Sequence, residues 1–151
     1  MSARRAAMLG VLLVAAACYS DRSRPSPTET EPQVLLSVRL IDPRNGQAVL
    51  GDHTINVSVE GRDLIGAQLR GVGFVARRVG NGEPVTLDSV AVLPGTPSRL
   101  LQQEFVFAVP DLPTNTEVDV FGIAYGPGSQ TRLSDPSSLI VIRCEPGIPG
   151  C

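Results

Sequence analysis

The chain contains 151 residues, and its 13 basic residues, all arginine, against 15 acidic ones give a formal net charge of −2. That length suits one domain with its own hydrophobic core, and the acidic balance excludes a general attraction for nucleic acid or anionic lipid. The 15 glycines, 13 prolines, absence of tryptophan and 4% aromatic content indicate a turn-rich domain built from strands, with a core mainly of Val, Leu and Ile.

Residues 1–17 predict an export signal. Arg4 and Arg5 precede the apolar run 6–17, which is too short to cross the ~30 Å hydrocarbon core of a bilayer as a helix. A cationic start, a short apolar segment and small residues before a cleavage point are the parts of a signal peptide. Its removal takes both arginines away and changes the net charge from −2 to −4.

The residue after the cleavage point is Cys18, which follows Ala15-Ala16-Ala17. This arrangement resembles a bacterial lipoprotein signal, and the resemblance implies that Cys18 is acylated and holds the protein on a membrane of the cell envelope, on its periplasmic or cell-surface side. That family usually has Leu where this chain has Ala15. The alanine triplet also satisfies the A-x-A rule of the ordinary secretory peptidase, and in that alternative the mature protein is soluble with a free thiol at Cys18.

The segment 18–32 has three prolines, alternating hydroxyl and charged residues, and no aliphatic residue. Such a composition cannot form a packed core. The sequence therefore predicts a solvated, extended tether between the lipidated cysteine and the domain.

From residue 33 to residue 143 the pattern is one of short alternating apolar runs separated by turn signals. Seven runs and no credible amphipathic helix predict a single all-β sandwich of about seven antiparallel strands; a small closed barrel is the alternative. We expect 61–66 to break the second strand and form one helical turn. The predicted strands are 34–41, 54–60, 69–79, 84–93, 101–109, 117–125 and 139–143.

Three segments carry a further pattern. They are Ile41-Asp42-Pro43 with Gly46 and Val49, followed by Ile55, Val57 and Val59; Asp63-Leu64-Ile65-Gly66 followed by Val72-Gly73-Phe74; and 105–113 followed by 116–120. Together they resemble the bacterial immunoglobulin-like and fibronectin type III-like domains. The resemblance covers about residues 34–143 and implies an immunoglobulin-like sandwich, although Val118 stands where many relatives have a corner tyrosine. That fold hosts many functions and implies none by itself.

The tail 144–151 contains the other two cysteines, Cys144 and Cys151. In an oxidising compartment they could form a disulfide across a turn-rich segment; two free thiols are the alternative. Two cysteines without a nearby histidine cannot supply the four ligands of a structural zinc site.

No residue pattern predicts catalysis, a metal or a cofactor. His53 is the single histidine, and no serine has the G-x-S-x-G setting of a nucleophile. Four carboxylates could gather near one end of a sandwich, but their spacing is not that of a calcium loop. We therefore expect a protein that is not an enzyme. The four carboxylates are Asp111, Glu117, Asp119 and Asp135.

Phe121, Ile123 and Tyr125 are the candidate binding residues. If Val118 and Val120 face the core, a period of two places these three side chains on the outer face of their strand. An apolar stripe there is typical of a partner-binding patch. The alternative is a bulge at glycine 122 that turns part of the stripe inward.

The sequence therefore predicts an exported lipoprotein whose immunoglobulin-like domain binds or scaffolds another protein. The alternative is a carbohydrate-binding accessory domain of the cell envelope, which would stack sugars on exposed aromatic side chains. Only Tyr19 and Tyr125 are tyrosines, and Tyr19 lies in the tether. A nucleic-acid partner is not expected.

Overall fold

The computed structural model describes residues 34–80 and 83–143 of the chain. The predicted signal, the tether with Cys18, and the pair Cys144 and Cys151 lie outside the described residues. Within the two described ranges there is no helix long and apolar enough to cross a membrane. The described residues form nine strands: β1 (Leu36–Asp42), β2 (Ala48–Leu50), β3 (Thr54–Asp63), β4 (Gly71–Arg78), β5 (Val85–Val92), β6 (Leu100–Ala108), β7 (Thr116–Tyr125), β8 (Thr131–Leu133) and β9 (Ser137–Ile142).

The strands form two sheets that pack face to face. One sheet has the order β1-β3-β6 and the other has the order β2-β9-β7-β4-β5, with β8 beside the second half of β7. In an immunoglobulin-like sandwich, strands A, B and E share one sheet, while G, F and C share the other. The strands β1, β3 and β6, and then β9, β7 and β4, occupy these places, and β5 lies where C′ would be. The predicted all-β, immunoglobulin-like sandwich is confirmed.

Two short strands were not expected from the pattern, because three residues are too few to show alternation. One of them, β2, pairs with β9 in parallel, so the strands are not all antiparallel. The turn at 43–47 carries the chain from one sheet to the other, and Gly46 sits there at φ 77° and donates its N–H to the Ser138 carbonyl at 2.7 Å. That crossing sets β2 alongside the last strand.

The predicted break after Glu60 is wrong, because β3 continues without interruption to Asp63. The glycine that suggested a break has another role. A Cβ on Gly61 would lie 2.6 Å from Cγ1 of Val72 in the opposite sheet. Gly61 therefore allows the two sheets to approach each other, and the chain bends only beyond residue 63.

The core lies between the sheets and is built from the inward faces of β3, β4, β6, β7 and β9. Its aromatic centre is Phe74 on β4, whose ring centroid lies 5.5 Å from that of Phe105 and 6.0 Å from that of Phe107, both on β6. Around these rings the packing is aliphatic, as the composition predicts. The fully buried aliphatic side chains of this core include Val57, Val59, Val118, Val120, Leu139 and Val141.

Candidate functional site

Strand β7 has a strictly alternating pattern of burial. Val118 and Val120 are fully buried, whereas Phe121, Ile123 and Tyr125 are half-buried on the opposite side of the strand. The pairing of β7 with β4 continues along its length without a bulge. The structure thus places the three predicted binding residues together on the outer face of the larger sheet.

Gly122, where a bulge was the alternative, is held in register by a single residue. Its N–H donates to the Oγ of Ser134 at 2.9 Å, and its carbonyl accepts the N–H of Ser134 at 2.9 Å. Here β7 changes its partner from β9 to β8, so both backbone groups would otherwise lack a strand partner. A Cβ on Gly122 would also approach Cγ1 of Val59 to 3.0 Å.

Neighbouring strands extend the apolar surface around these residues. Val75 lies opposite Phe121 on β4 and is buried although it points outward, and Leu133 lies opposite Ile123 on β8 and is exposed. The guanidinium carbon of Arg77 lies 5.6 Å from the centroid of the Phe121 ring, a cation–π contact. We name the outward apolar group the β7 patch: Phe121, Ile123, Tyr125, Val75 and Leu133.

The sequence analysis missed two glycines that shape the edge of this patch. Gly73 and Gly71 lie opposite Ile123 and Tyr125. A Cβ on Gly73 would lie 2.4 Å from the carbonyl oxygen of Val90, so β5 can approach β4 closely only because no side chain stands there. The spacing of two in Gly71-Val72-Gly73 was the available signal, since it puts both glycines on one face of a strand.

The outer face of the smaller sheet has the opposite character. Glu60 on β3 accepts hydrogen bonds from Nε of Arg62 at 3.0 Å and from a guanidinium nitrogen of Arg39 at 3.4 Å. The bond from Arg62, aided by Arg39, lowers the pKa of Glu60 below its ordinary value against the opposing effect of desolvation. Polar side chains dominate this face, and its two exposed large aliphatic residues on β6, Val106 at 64% and Leu100 at 50%, are six residues apart.

A concave surface of the described residues lies apart from the β7 patch. This open cleft of about 400 Å³ runs along β1 and the segment 134–137, and its lining is about equally polar and apolar. None of its lining residues belongs to the β7 patch. The patch is a flat sheet surface, a shape that suits a protein partner better than a small molecule.

The single histidine and the carboxylates that the sequence analysis weighed do not form a cluster of metal-ligand type in the described residues. His53 is exposed, and its Nδ1 lies 3.0 Å from the carbonyl oxygen of Gly51. Asp111 forms an ion pair with Arg143 at 3.2 Å, while Asp119 accepts the hydroxyl of Ser138. Across 34–80 and 83–143, no three residues among His, Cys, Asp and Glu are placed to hold a metal ion together.

No protein-family model matches the chain, and no curated protein sequence matches it. Solved structures do match. The sporulation control protein Spo0M from Bacillus subtilis aligns with a TM-score of 0.51 and 19% identity, over 72% of this chain and 49% of that one. The chain thus spans about half the length of Spo0M.

Two further structures have lower scores. The Niemann-Pick type C2 protein from Japanese carpenter ant aligns at 0.45 and 11% identity, over 70% of this chain and 88% of that one. Murine CRIg aligns at 0.39 and 8% identity, over 74% of this chain and 99% of that one. At such identities a structural likeness speaks to the fold alone. By its strand order and by its likeness to Spo0M, the described part of the chain is a two-sheet β-sandwich of the immunoglobulin-like kind.

Proposed function

We propose that this chain is an exported lipoprotein, anchored to a membrane through Cys18, whose immunoglobulin-like domain is a non-catalytic module that binds another protein. The anchor rests on the signal-like residues 1–17 and the position of the cysteine. The binding role rests on the β7 patch. In this proposal the tether 18–32 connects the two.

The observation that supports the binding role best is the difference between the two outer faces of the sandwich. One face presents arginine–glutamate pairs and two separated exposed aliphatic residues of β6, Val106 and Leu100, whereas the other presents the β7 patch, which contains the aromatic rings of Phe121 and Tyr125. An apolar group concentrated on one face and rimmed by charges such as Arg77 has the anatomy of a protein interface. Aromatic side chains commonly provide the largest contributions to binding energy in such interfaces.

Replacing both Phe121→Ser and Ile123→Ser should reduce recovery of the partner tenfold or more, because it removes two central apolar contacts of the patch. The measurement is co-purification, after cross-linking, from membranes that carry the full chain. Val106→Ser is the matched control, because Val106 lies on the outer face of the smaller sheet and not in the β7 patch. This variant should retain the partner. Equal recovery with the double variant would exclude the patch as the interface, provided that thermal melting shows both variants folded.

The anchor has a separate test. The intact mass of the mature protein extracted from membranes should correspond to a chain that begins at Cys18 and carries acyl chains, and Cys18→Ser should release the protein from the membrane fraction. The same spectrum, compared before and after reduction, tests the predicted bridge between Cys144 and Cys151. A wild-type protein that begins at Cys18 with an unmodified thiol would overturn the anchor.

A further inference from the structure

The end of the sandwich at which residue 34 joins β1 differs in composition from the rest of the surface. We call it the entry end. It contains the start of β1, which pairs with the last residue of β3, and the last residue of β7, whose carbonyl accepts the N–H of Arg70 at 2.7 Å. The end of β5 and the start of β6 are also there, because Val92 pairs near the start of β4 and Leu100 pairs with Arg62.

All the exposed leucines of the described residues lie at or near this end. Leu35 and Leu64 are joined by a backbone hydrogen bond of 2.9 Å, and Leu93 lies against Gly71 at the start of β4. Ile65 occupies the bend that follows β3. The six side chains are between 45% and 63% exposed: Leu35, Leu64, Ile65, Leu93, Leu100 and Leu133.

Positive charge collects at the same end. Among the described residues, three carboxylates lie at or near this end: Glu60, which pairs with Arg39 and Arg62; Asp63, which accepts backbone N–H groups; and Asp135, which lines a cleft together with Leu35, Arg132 and Leu133. The arginines outnumber them, so the net acidic charge of the chain conceals a local excess of positive charge. The arginines at the entry end are Arg62, Arg70, Arg99 and Arg132.

Asp63 also fixes the bend that presents part of this surface. Its carboxylate accepts the N–H of Gln68 at 2.9 Å and the N–H of Ile65 at 3.1 Å. The bend is therefore tied to a buried side chain, and Leu64 and Ile65 stay exposed above it. A surface held open in this way loses little conformational entropy when it binds.

We propose that the entry end docks on the surface of a phospholipid bilayer. The aliphatic side chains enter the boundary between headgroups and acyl chains, and the arginines lie at the lipid phosphates. This inference rests on the proposed function in one respect: the anchor at Cys18 would supply the bilayer. Cys18 precedes Val34 by sixteen residues, which can span at most about 55 Å, and this length is the upper limit of the distance between the proposed anchor and the entry end.

The arrangement of the exposed apolar groups favours a bilayer over a protein as the occupant. These aliphatic side chains, Val92 among them, are spread over several bends and strand ends and are interspersed with arginine, whereas protein interfaces concentrate aromatic anchors on one patch.

The test uses the chain from residue 18 onward with Cys18→Ser, which cannot be acylated and contains the complete sandwich with its core. Flotation with vesicles of equimolar phosphatidylcholine and phosphatidylglycerol measures binding. We expect this chain to bind, and Ile65→Ser with Leu93→Ser to weaken its partitioning about tenfold or more, because two exposed aliphatic side chains no longer leave water. Arg70→Gln and Arg99→Gln should each weaken binding about fivefold on these vesicles and little on phosphatidylcholine alone.

Val106→Ser with Ile140→Ser removes two other exposed aliphatic residues, 64% and 42% exposed, that lie outside the entry end, and should leave vesicle binding unchanged. Failure of the unacylated chain to bind these vesicles, or equal binding by the Ile65→Ser, Leu93→Ser variant, would overturn the docking proposal. The proposed function has its own two measurements, which are the intact mass of the mature protein and the recovery of a protein partner. Neither depends on vesicle binding, so failure of docking is distinguishable from failure of the proposed function. Melting curves identify any variant that does not fold.

Discussion

Substitution Phe74→Ala is expected to lower the free energy of unfolding by about 3–5 kcal/mol, the usual loss for a buried phenylalanine. Phe74 is completely buried and packs with Phe105 and Phe107 of the opposite sheet. Its strand, β4, pairs with both β5 and β7, so the surrounding backbone is fixed on two sides and cannot easily collapse into the space left. Urea unfolding followed by circular dichroism measures the loss.

The control for this prediction is Val106→Ala, because Val106 lies on β6 between Phe105 and Phe107. Val106 is largely exposed and should change stability by less than about 0.5 kcal/mol. Domains of this size are stable by only about 5–15 kcal/mol, so Phe74→Ala should bring the protein close to unfolding. Similar midpoints for the two variants would show that the aromatic centre is not what stabilises the sandwich.

The second large effect is expected for Asp63→Ala, which should cost about 2–3 kcal/mol. The carboxylate is 1% exposed and accepts the N–H groups of Gln68 and Ile65. Alanine leaves both donors without that acceptor in a partly buried bend. Asp88→Ala is the matched control: Asp88 also accepts a neighbouring N–H, from Ser89 at 2.7 Å, but at an exposed site. A loss no greater than that of the control would contradict the role of Asp63.

Asp63 also predicts how stability depends on pH. Its hydrogen bonds, led by the one from Gln68, hold its pKa below the ordinary value, and Arg62 does the same for the pKa of Glu60. A carboxylate whose pKa is lower in the folded state stabilises that state above its unfolded pKa of about 4, and the contribution disappears as pH falls through the lowered value. The urea concentration at the unfolding midpoint should therefore decrease when the pH is lowered below about 4. It should decrease less steeply in Asp63→Ala. Identical acid profiles would contradict this linkage.

The strands that the sequence could predict are those long enough to alternate. Seven of the nine strands correspond to predicted runs, because Val, Ile and Phe at every second position leave one register that buries them. The three-residue strands β2 and β8 have no such pattern, and their place depends on which partner edges are free. The role of Gly61 likewise depends on a side chain in the other sheet, which no local pattern reveals.

The sequence could predict the placement of the candidate binding residues for the same reason. Once Val118 and Val120 face the core, alternation turns Phe121, Ile123 and Tyr125 outward. The entry end could not be found in this way. Its leucines and arginines come from six separate parts of the chain, and only the topology of the sandwich assembles them.

The position of β9 has a consequence for when this domain can fold. This last strand is the partner of β2, near the beginning of the domain, and of the first half of β7. A nascent chain halted before residue 137 would lack the strand that joins its early and late segments, so the sandwich should close only after the last strand of the domain has been synthesised. A chain that stays open until its final strand emerges is well suited to being threaded through a narrow channel first and packed afterwards.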